Sequence, residues 1–413
     1  MLKTTLLNYA KLLARVGLNV QKGQEVIIYA EMAQMDFLIM VVKECYLAGA
    51  SKVRIEWTHQ PIDKLHVLYQ SEEDLAKVHS WQHKKFEEQT QLLPAKLYID
   101  SSDPDGMVGI DIDKYAKARA KRAKLIKPYR DKMENKYQWC IASVPSMQWA
   151  SKIFPYQSKT RSLETKLWKA ILQSARALEG NPIRNWEKHN LELLKRANFL
   201  NALQIDRLQY TSCNGTNFSV ALLPKSRFMA GGEKTLSGIY FNPNIPTEEC
   251  FTTPDKYSAE GIVYATKPLS YKGQLIEDFY LEFKAGKVIK ADARVGADYL
   301  QKMLNMDEGA SYLGEVALVP QSSPIQQSNL LFYNTLFDEN ASCHLAIGRG
   351  FTNCIDGYED MTEEELQKYG VNDSIEHTDF MIGCDDLNII ATTRTGQRVE
   401  IFKNGEWAFC IDN

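Results

Sequence analysis

The sequence has no apolar run that approaches the roughly 20 residues needed to cross a lipid bilayer. It also lacks a signal-peptide pattern, because Asn8, Lys11 and Arg15 interrupt the apolar residues of the N-terminus. The formal net charge is only -3, so there is no strong overall field to attract nucleic acid or an anionic membrane. These absences predict a protein that is neither membrane-bound nor exported and that has no nucleic-acid partner.

Paired cysteines and several short enzyme signatures are missing too. The eight cysteines include no C-x-x-C pair, which is typical of reduced thiols and favours a cytoplasmic location. There is no G-x-x-x-x-G-K-[ST] phosphate loop, no H-E-x-x-H zinc motif and no G-x-S-x-G nucleophile elbow. Gly348-Arg349-Gly350 is too short for a dinucleotide fingerprint. A nucleotide-binding α/β protein therefore remains an alternative that rests on fold analogy alone.

The chain does have enough apolar residues for two hydrophobic cores. It contains 413 residues, 44% of them hydrophobic, whereas single cores stop growing at roughly 250 to 300 residues. In the first half, short β-rich runs at 26–29, 53–57, 96–99 and 139–144 alternate with helical patterns. This alternation is typical of βαβ units. We predict an N-terminal α/β domain over residues 1–195 with a mostly parallel sheet.

The second half has a different pattern, in which alternating runs are joined by turn signals. Such signals occur at Asn214-Gly215, Lys272-Gly273, Ala285-Gly286 and Asn404-Gly405, and they are typical of β-hairpins. We predict a C-terminal α+β domain over residues 196–413 with antiparallel or mixed strands. A basic stretch over 114–136 is interpreted as a solvated helix, since aromatic residues do not interleave with its lysines and arginines.

Candidate metal ligands concentrate in the second half. Only two of the seven histidines lie beyond residue 200, and both have acidic neighbours. His344 follows Asp338 and Glu339, and His377 forms an H-x-D pair with Asp379. In an extended segment the members of an H-x-D pair point to the same side, so they can bind one metal ion. A surface pair or a hydrogen-bonded core pair is the alternative.

Two glutamates lie in apolar surroundings, where a carboxylate is costly to bury without a partner. Glu315 interrupts the apolar run 313–320, although an edge strand with Glu315 facing water would also fit. Glu249 follows Glu248, and adjacent residues of a strand face opposite sides, so only one of the two can point into a site. Together with the histidines and Asp379, these residues form a mixed nitrogen and oxygen set that suits Zn, Mn or Co. The excess of carboxylates favours two metal ions that share a bridging carboxylate.

Four motifs that occur in order along the chain resemble one family, the M29 aminopeptidases of the aminopeptidase T and aminopeptidase S type. The motifs are Asn-Ile-Pro-Thr-Glu-Glu-Cys-Phe-Thr-Thr-Pro, Leu-Gly-Glu-Val-Ala-Leu-Val-Pro, Phe-Asp-Glu-Asn-Ala-Ser-Cys-His-Leu-Ala and His-Thr-Asp-Phe-Met-Ile-Gly. The resemblance covers nearly the whole chain. It implies a homodimer that removes N-terminal residues from peptides and uses two divalent ions.

By this resemblance the family's metal-ligand positions fall on five residues, with Glu315 as the bridge between the ions: Glu249, Glu315, His344, His377 and Asp379. Glu339 is a further ligand or a base. We hypothesise that one ion activates a water, that the other binds the peptide's amine and carbonyl oxygen, and that Glu315 or Glu339 transfers the proton.

Phe351 departs from the family pattern, which usually has a tyrosine seven residues after the first metal-binding histidine. A phenyl ring has no hydroxyl to polarise an oxyanion, and the loss of one such donor typically lowers turnover by about a hundred- to a thousandfold. Two interpretations follow. Another group replaces the hydroxyl, or the protein is a weakened or silent relative that binds metal or peptide or acts as a structural dimer.

Overall fold

The computed structural model describes residues 3–158, 160–271 and 273–411, and the chain forms two compact units. The first unit is Met1–Lys188 with Gly232–Pro246, and the second is His189–Gly231 with Thr247–Asn413. These units differ from the predicted domains, 1–195 and 196–413, in residues 189–195 and 232–246. Among the described residues, every helix is too short or too polar to span a bilayer.

A parallel sheet forms the centre of the first unit. Its strands are β1 (Glu25–Glu31), β2 (Lys52–Thr58), β3 (Ala95–Asp100) and β4 (Trp139–Ser143). They are ordered β2-β1-β3-β4, and each neighbouring pair is parallel. The strands coincide with the four β-rich runs of the sequence, so the predicted parallel sheet is confirmed.

Helices occur in both units and are numbered along the whole chain. They are α1 (Lys3–Leu12), α2 (Met35–Ala48), α3 (Gln60–Tyr69), α4 (Glu72–Ala76), α5 (Ser80–Leu92), α6 (Ile112–Met133), α7 (Met147–Ile153), α8 (Arg161–Ser174), α9 (Pro182–Ala202), α10 (Ala297–Leu304), α11 (Pro324–Gln327), α12 (Thr335–Asp338) and α13 (Glu363–Tyr369). The basic stretch is α6, which buries little besides Ala118 and Met133. The prediction of a solvated helix is therefore confirmed.

The segment Gly232–Pro246 belongs to the first unit because its backbone bonds there. It contains the short strands β8 (Glu233–Lys234) and β9 (Tyr240–Phe241). The N–H of Ile141 donates to the carbonyl of Pro243 at 2.7 Å, and the N–H of Asn242 donates to the carbonyl of Gly17 at 3.1 Å. These bonds satisfy main-chain groups of β4 and of the segment that follows α1.

The second unit consists mainly of antiparallel strands. They are β5 (Ile205–Thr211), β6 (Asn217–Ala221), β7 (Met229–Ala230), β10 (Cys250–Thr252), β11 (Glu260–Tyr264), β12 (Leu269–Tyr271), β13 (Gln274–Lys284), β14 (Lys287–Val295), β15 (Leu313–Leu318), β16 (His344–Gly348), β17 (His377–Met381), β18 (Asn388–Thr393), β19 (Arg398–Lys403) and β20 (Glu406–Trp407). The larger sheet has the order β12-β13-β11-β6-β5-β18-β19-β20, with β14 beside β13. The smaller sheet has the order β17-β16-β15-β10-β7.

Predicted turns join paired strands of the larger sheet at Asn214-Gly215, Ala285-Gly286 and Asn404-Gly405. Ala285 and Asn404 have φ angles of 49° and 51°, and the glycines that follow them have φ angles of 80° and 74°. Two successive positive φ angles are typical of the hairpin turn that an Asn-Gly pair favours. Lys272, in the fourth predicted turn, lies outside the described residues.

One face of the smaller sheet packs into the hydrophobic core of the second unit. The core residues on that face include Val316, Leu345 and Phe380, and the larger sheet contributes Leu208, Phe218 and Ile389, among others. Val316 pairs with Leu345, which pairs with Phe380, so the three side chains lie on the same side. Since side chains alternate along a strand, the polar residues between them point to the other face.

Candidate metal centre

The candidate ligands share that other face of the smaller sheet. Residues that are paired directly across antiparallel strands point to the same side, as do residues two positions apart. Glu315 pairs with Ala346, which pairs with Asp379. His344 and His377 precede Ala346 and Asp379 by two positions, so they point the same way. The strand register thus brings together residues that are far apart in the sequence.

Glu249 reaches the same face from the start of β10. Phe251 pairs with Ala317, which is two residues from Glu315, and Glu249 lies two residues before Phe251. Glu248 is also buried, but its Oε2 lies 3.9 Å from Nε2 of His189. The alternation predicted for this pair of glutamates is therefore observed, with Glu249 on the side of the other candidate ligands.

Glu249, Glu315 and His344 form a first group of possible ligands. One ligand atom of each lies within 4.8 Å of the others, and all three side chains are buried. Nε2 of His344 is 3.1 Å from Oε2 of Glu249. The sequence left open an edge strand with Glu315 facing water, but Glu315 is only 4% exposed and β15 lies between β16 and β10.

Glu315, His377 and Asp379 form a second group that meets the same distance limit. Nε2 of His377 lies 3.2 Å from Oε2 of Glu315 and 3.4 Å from Oδ1 of Asp379. The His377 side chain keeps 28% exposure, so this group borders solvent. Glu315 belongs to both groups, which is the arrangement required of a carboxylate that bridges two ions.

Hydrogen bonds to main-chain carbonyl groups orient both imidazoles. Nδ1 of His344 lies 3.2 Å from the carbonyl oxygen of Ser342, and Nδ1 of His377 lies 2.7 Å from that of Arg349. A carbonyl only accepts, so each Nδ1 carries the proton and donates it. In a neutral imidazole the lone pair is then on Nε2, which faces the carboxylates. Metal-binding histidines are held in this way.

The lack of a side chain at Gly348 allows β16 and β17 to approach closely beside His377. Gly348 has a φ of 99°, and a Cβ atom there would lie 2.1 Å from the carbonyl oxygen of Glu376. A larger residue would therefore push apart the strands that carry His344 and His377. The Gly348-Arg349-Gly350 pattern, which was too short for a nucleotide motif, thus has a structural role.

Glu339 lies beside the two groups and outside both of them. Burial raises the pKa of its carboxyl, and the nearby carboxylates of Asp379, Glu249 and Glu315 raise it further. Nδ2 of Asn340 donates to Oε1 of Glu339 at 3.3 Å. Asn340 was not among the site residues predicted from the sequence, although it follows Glu339 directly.

The electrostatics of the site fit a bound cation. Burial, with the charges of Glu249 and Asp379, raises the pKa of Glu315 to about 7. Burial alone would lower the pKa of His344, but the Glu249 carboxylate raises it to about 9. Within the described ranges, Oε2 of Glu249 is buried without a hydrogen-bond partner of good geometry. Nε2 of His344 is its near neighbour at 3.1 Å, and a buried carboxylate and imidazole that face each other can serve as two ligands of one ion.

Metal binding should therefore release protons. At pH 8 the metal-free His344 would be largely protonated, because its pKa is about 9, and a histidine must be neutral to bind a metal ion. We expect about one proton or more per chain to be released, and we expect the affinity to weaken as the pH falls. Titration calorimetry in two buffers that differ in ionisation enthalpy measures this release. Identical heats in both buffers would contradict the prediction.

Phe351 lies at the edge of the second ligand group. Its ring centroid is 5.0 Å from that of His377 and 5.4 Å from that of Phe251. The hydroxyl of Thr253 accepts from the N–H of Phe351 at 2.8 Å and donates to its carbonyl at 3.0 Å. The ring is thus fixed beside a candidate ligand and presents only carbon atoms there.

A buried cluster of carboxylates and imidazole nitrogens on one face of a sheet fits a metal-dependent enzyme. Comparison with known proteins gives the family. The family model of the thermophilic metalloproteases, M29, matches residues 2–407. The chain belongs to this family, as the four sequence motifs predicted.

Individual relatives extend over nearly the full length of the chain. Aminopeptidase AmpS of Bacillus subtilis is 41% identical over 97% of this chain and 98% of its own. Aminopeptidase 2 of Geobacillus stearothermophilus is 39% identical over 97% of each chain. The solved structure of AmpT from Thermus thermophilus has a TM-score of 0.89 at 33% identity and covers 98% of this chain and 100% of its own. The fold described above is thus that of AmpT.

Proposed function

We propose that this protein is an aminopeptidase that removes N-terminal residues from peptides and uses two divalent metal ions. One observation carries the proposal, namely that Glu315 belongs to both ligand groups. Its two carboxylate oxygens suit a bridge between two ions, and such a bridge is typical of metal-assisted hydrolysis. Membership of a metalloprotease family, and relatives that are named aminopeptidases, support the same function.

Each ion would have its own ligands in addition to Glu315. Glu249 and His344 would hold one ion, and His377 and Asp379 would hold the other. These nitrogen and oxygen ligands suit Zn, Co or Mn. When bound, the ions would supply Lewis-acid chemistry that polarises the scissile carbonyl and lowers the pKa of water.

Glu339 is our candidate for the residue that transfers the proton. The other carboxylates are assigned to ion binding, whereas Glu339 lies outside both groups, beside Asp379. Its raised pKa allows the carboxyl to hold a proton and to give it to the leaving amine. In this proposal Glu315 bridges the two ions, and Glu339 acts as the acid and the base.

The substrate in this proposal is a peptide with a free N-terminus. From the family resemblance we also propose that the protein is a homodimer, from its cysteine pattern that it is cytoplasmic, and from its low net charge that it has no nucleic-acid partner. Hydrolysis of dipeptides and amino-acid anilides, measured with added Zn, Mn or Co, tests the activity. The same peptides with an acetylated N-terminus are the matched control, and a chelator should abolish hydrolysis. Equal rates on free and acetylated peptides would contradict an aminopeptidase.

Phe351 supports a second candidate function, a weakened or silent relative, because its ring lies 5.0 Å from the His377 ring without a hydroxyl. Phe351→Tyr separates the two functions. A weakened relative should gain on the order of a hundredfold in kcat, as expected when one oxyanion donor is restored. For the active aminopeptidase we expect a gain below about tenfold, since another group already performs that role. Steady-state kinetics on one dipeptide distinguish these results, and the larger gain would favour the weakened relative.

A further inference from the structure

We propose that Asn340 is a positioning residue that sets the orientation of the Glu339 carboxylate. This inference depends on the proposed function, because it concerns the residue assigned to proton transfer. Asn340 lies within one of the four family motifs, but it was not among the predicted site residues and it belongs to neither ligand group. Asn340 lies in the short 3₁₀ segment Glu339–Ala341, and its side chain is completely buried.

The amide of Asn340 connects two parts of the candidate site. Its Oδ1 accepts from the main-chain N–H of Glu248 at 2.7 Å, next to the candidate ligand Glu249. Its Nδ2 donates to the carbonyl of Leu336 at 2.9 Å and to Oε1 of Glu339 at 3.3 Å. The N–H of Glu248 and the carbonyl of Leu336 together determine which amide atom is oxygen and which is nitrogen. The donor is therefore held toward Glu339.

The main chain of Asn340 is also held in place. Its carbonyl accepts from the hydroxyl of Ser323 at 2.7 Å. With the amide and the carbonyl both bonded inside the protein, rotation of Asn340 would leave several buried polar groups unpaired. Glu339 itself is on a single 3₁₀ turn, so its orientation depends strongly on such a neighbour.

The surroundings of Glu339 are acidic, so its carboxylate is repelled by like charges and a hydrogen-bond donor helps to hold it in place. Asp379, Glu249 and Glu315 all act on its carboxyl with like charge. The bond from Asn340 occupies Oε1 and thereby leaves Oε2 for the proton that is transferred. Without the donor, the carboxyl group could rotate and would spend less time in the productive orientation.

Asn340→Asp tests the inference, since it keeps an acceptor for the N–H of Glu248 and replaces the donor to Glu339. We expect kcat to fall by about 10- to 100-fold, the range found when a residue that orients a catalytic group is lost. KM and the number of bound metal ions should stay unchanged. Serine is too short to reach Glu339, so Asn340→Ser should likewise lower kcat and leave KM unchanged.

Asn201→Asp is the matched control in the same unit. The Asn201 amide also bonds through both atoms, with the N–H and the carbonyl of Phe228 at 2.7 and 3.0 Å. Asn201 is only partly buried, so Asn340→Asp should lower the unfolding temperature further than this control does, and the control should keep its kcat. In a Glu339→Gln background, Asn340→Asp should lower kcat little further, because both changes act through one group.

Two results would overturn the inference while the proposed function stands. One is an active wild-type protein whose Asn340→Asp and Asn340→Ser variants keep full kcat. The other is loss of metal ions in parallel with kcat, which would mean that Asn340 supports the Glu249 segment instead. A wild-type protein that neither binds metal ions nor cleaves peptides would overturn the proposed function, and this inference with it.

Discussion

Glu315→Gln should remove both metal ions and lower kcat/KM by at least about a thousandfold. The reason is that Glu315 belongs to both ligand groups, so each of the proposed ions has it as a ligand. Glutamine keeps the shape of the side chain, but it is neutral and offers only one oxygen. Metal content per chain, measured by mass spectrometry after desalting, and dipeptide hydrolysis together measure the effect.

Glu248→Gln is the matched control for Glu315→Gln. Glu248 is a buried glutamate of the same unit, 5% exposed, but it points away from the candidate ligands toward His189. We expect this variant to keep its metal ions and its kcat/KM within a few-fold. If Glu315→Gln retained one tightly bound ion and substantial activity, Glu315 would not be the bridge that the proposal requires.

Glu339→Gln should have the second largest effect on activity, and it should differ from Glu315→Gln in leaving metal binding intact. We expect kcat to fall by about a hundred- to ten-thousandfold, as when a general acid or base is lost, while the bound metal ions are retained. This separation follows from the position of Glu339, which lies beside the candidate ligands but outside both ligand groups. Metal content and steady-state kinetics of the same preparation measure both quantities.

Asp338→Asn gives the corresponding control one residue away. The Asp338 carboxylate accepts from the N–H groups of Phe332 at 2.8 Å and Asn334 at 3.0 Å, so its role is to hold a loop. An asparagine there has one acceptor oxygen for two donors, and we expect a lower unfolding temperature with kcat within a few-fold of wild type. If Glu339→Gln instead lost an ion, Glu339 would be a ligand, the alternative that the sequence left open.

Local structure could be predicted from the sequence because it depends on neighbouring residues. The four runs that became β1 to β4 have the β-branched and apolar residues of buried strands, and their alternation with helices predicts parallel pairing. The prediction that only one of Glu248 and Glu249 points into the site also depends on a local rule, the alternation of side chains along a strand, whereas the choice of Glu249 came from the family resemblance. The turns at Ala285-Gly286 and Asn404-Gly405 follow from the φ angles that glycine tolerates.

The convergence of the site could not be derived from spacing, because it depends on strand register. Glu315 meets Asp379 only because both pair with Ala346, and a shift of one residue would send either side chain into the core. A register irregularity between Leu313 and Glu315 adds to this dependence. The resemblance of the motifs to one family indicated which residues form one site, and their spacing in the sequence could not.

The return of Gly232–Pro246 to the first unit was missed for a related reason. Its placement depends on main-chain hydrogen bonds, one from the N–H of Ile141 and one to the carbonyl of Gly17. Main-chain groups are the same in almost every residue type, so the sequence does not show which of them will bond. The contacts of Asn340 are of the same kind, since two of its partners are the N–H of Glu248 and the carbonyl of Leu336. Sequence patterns identify the residues that carry chemistry more readily than the residues that hold them in place.

The number of divalent ions in the active protein tests the proposed centre most directly. Purified protein should be freed of metal with a chelator and titrated with Zn, Co or Mn, while bound metal and peptidase activity are measured on each sample. We expect activity to rise until two ions are bound per chain and to rise no further. Full activity with fewer than one ion per chain, or activity that survives the chelator, would contradict a two-metal centre built around Glu315.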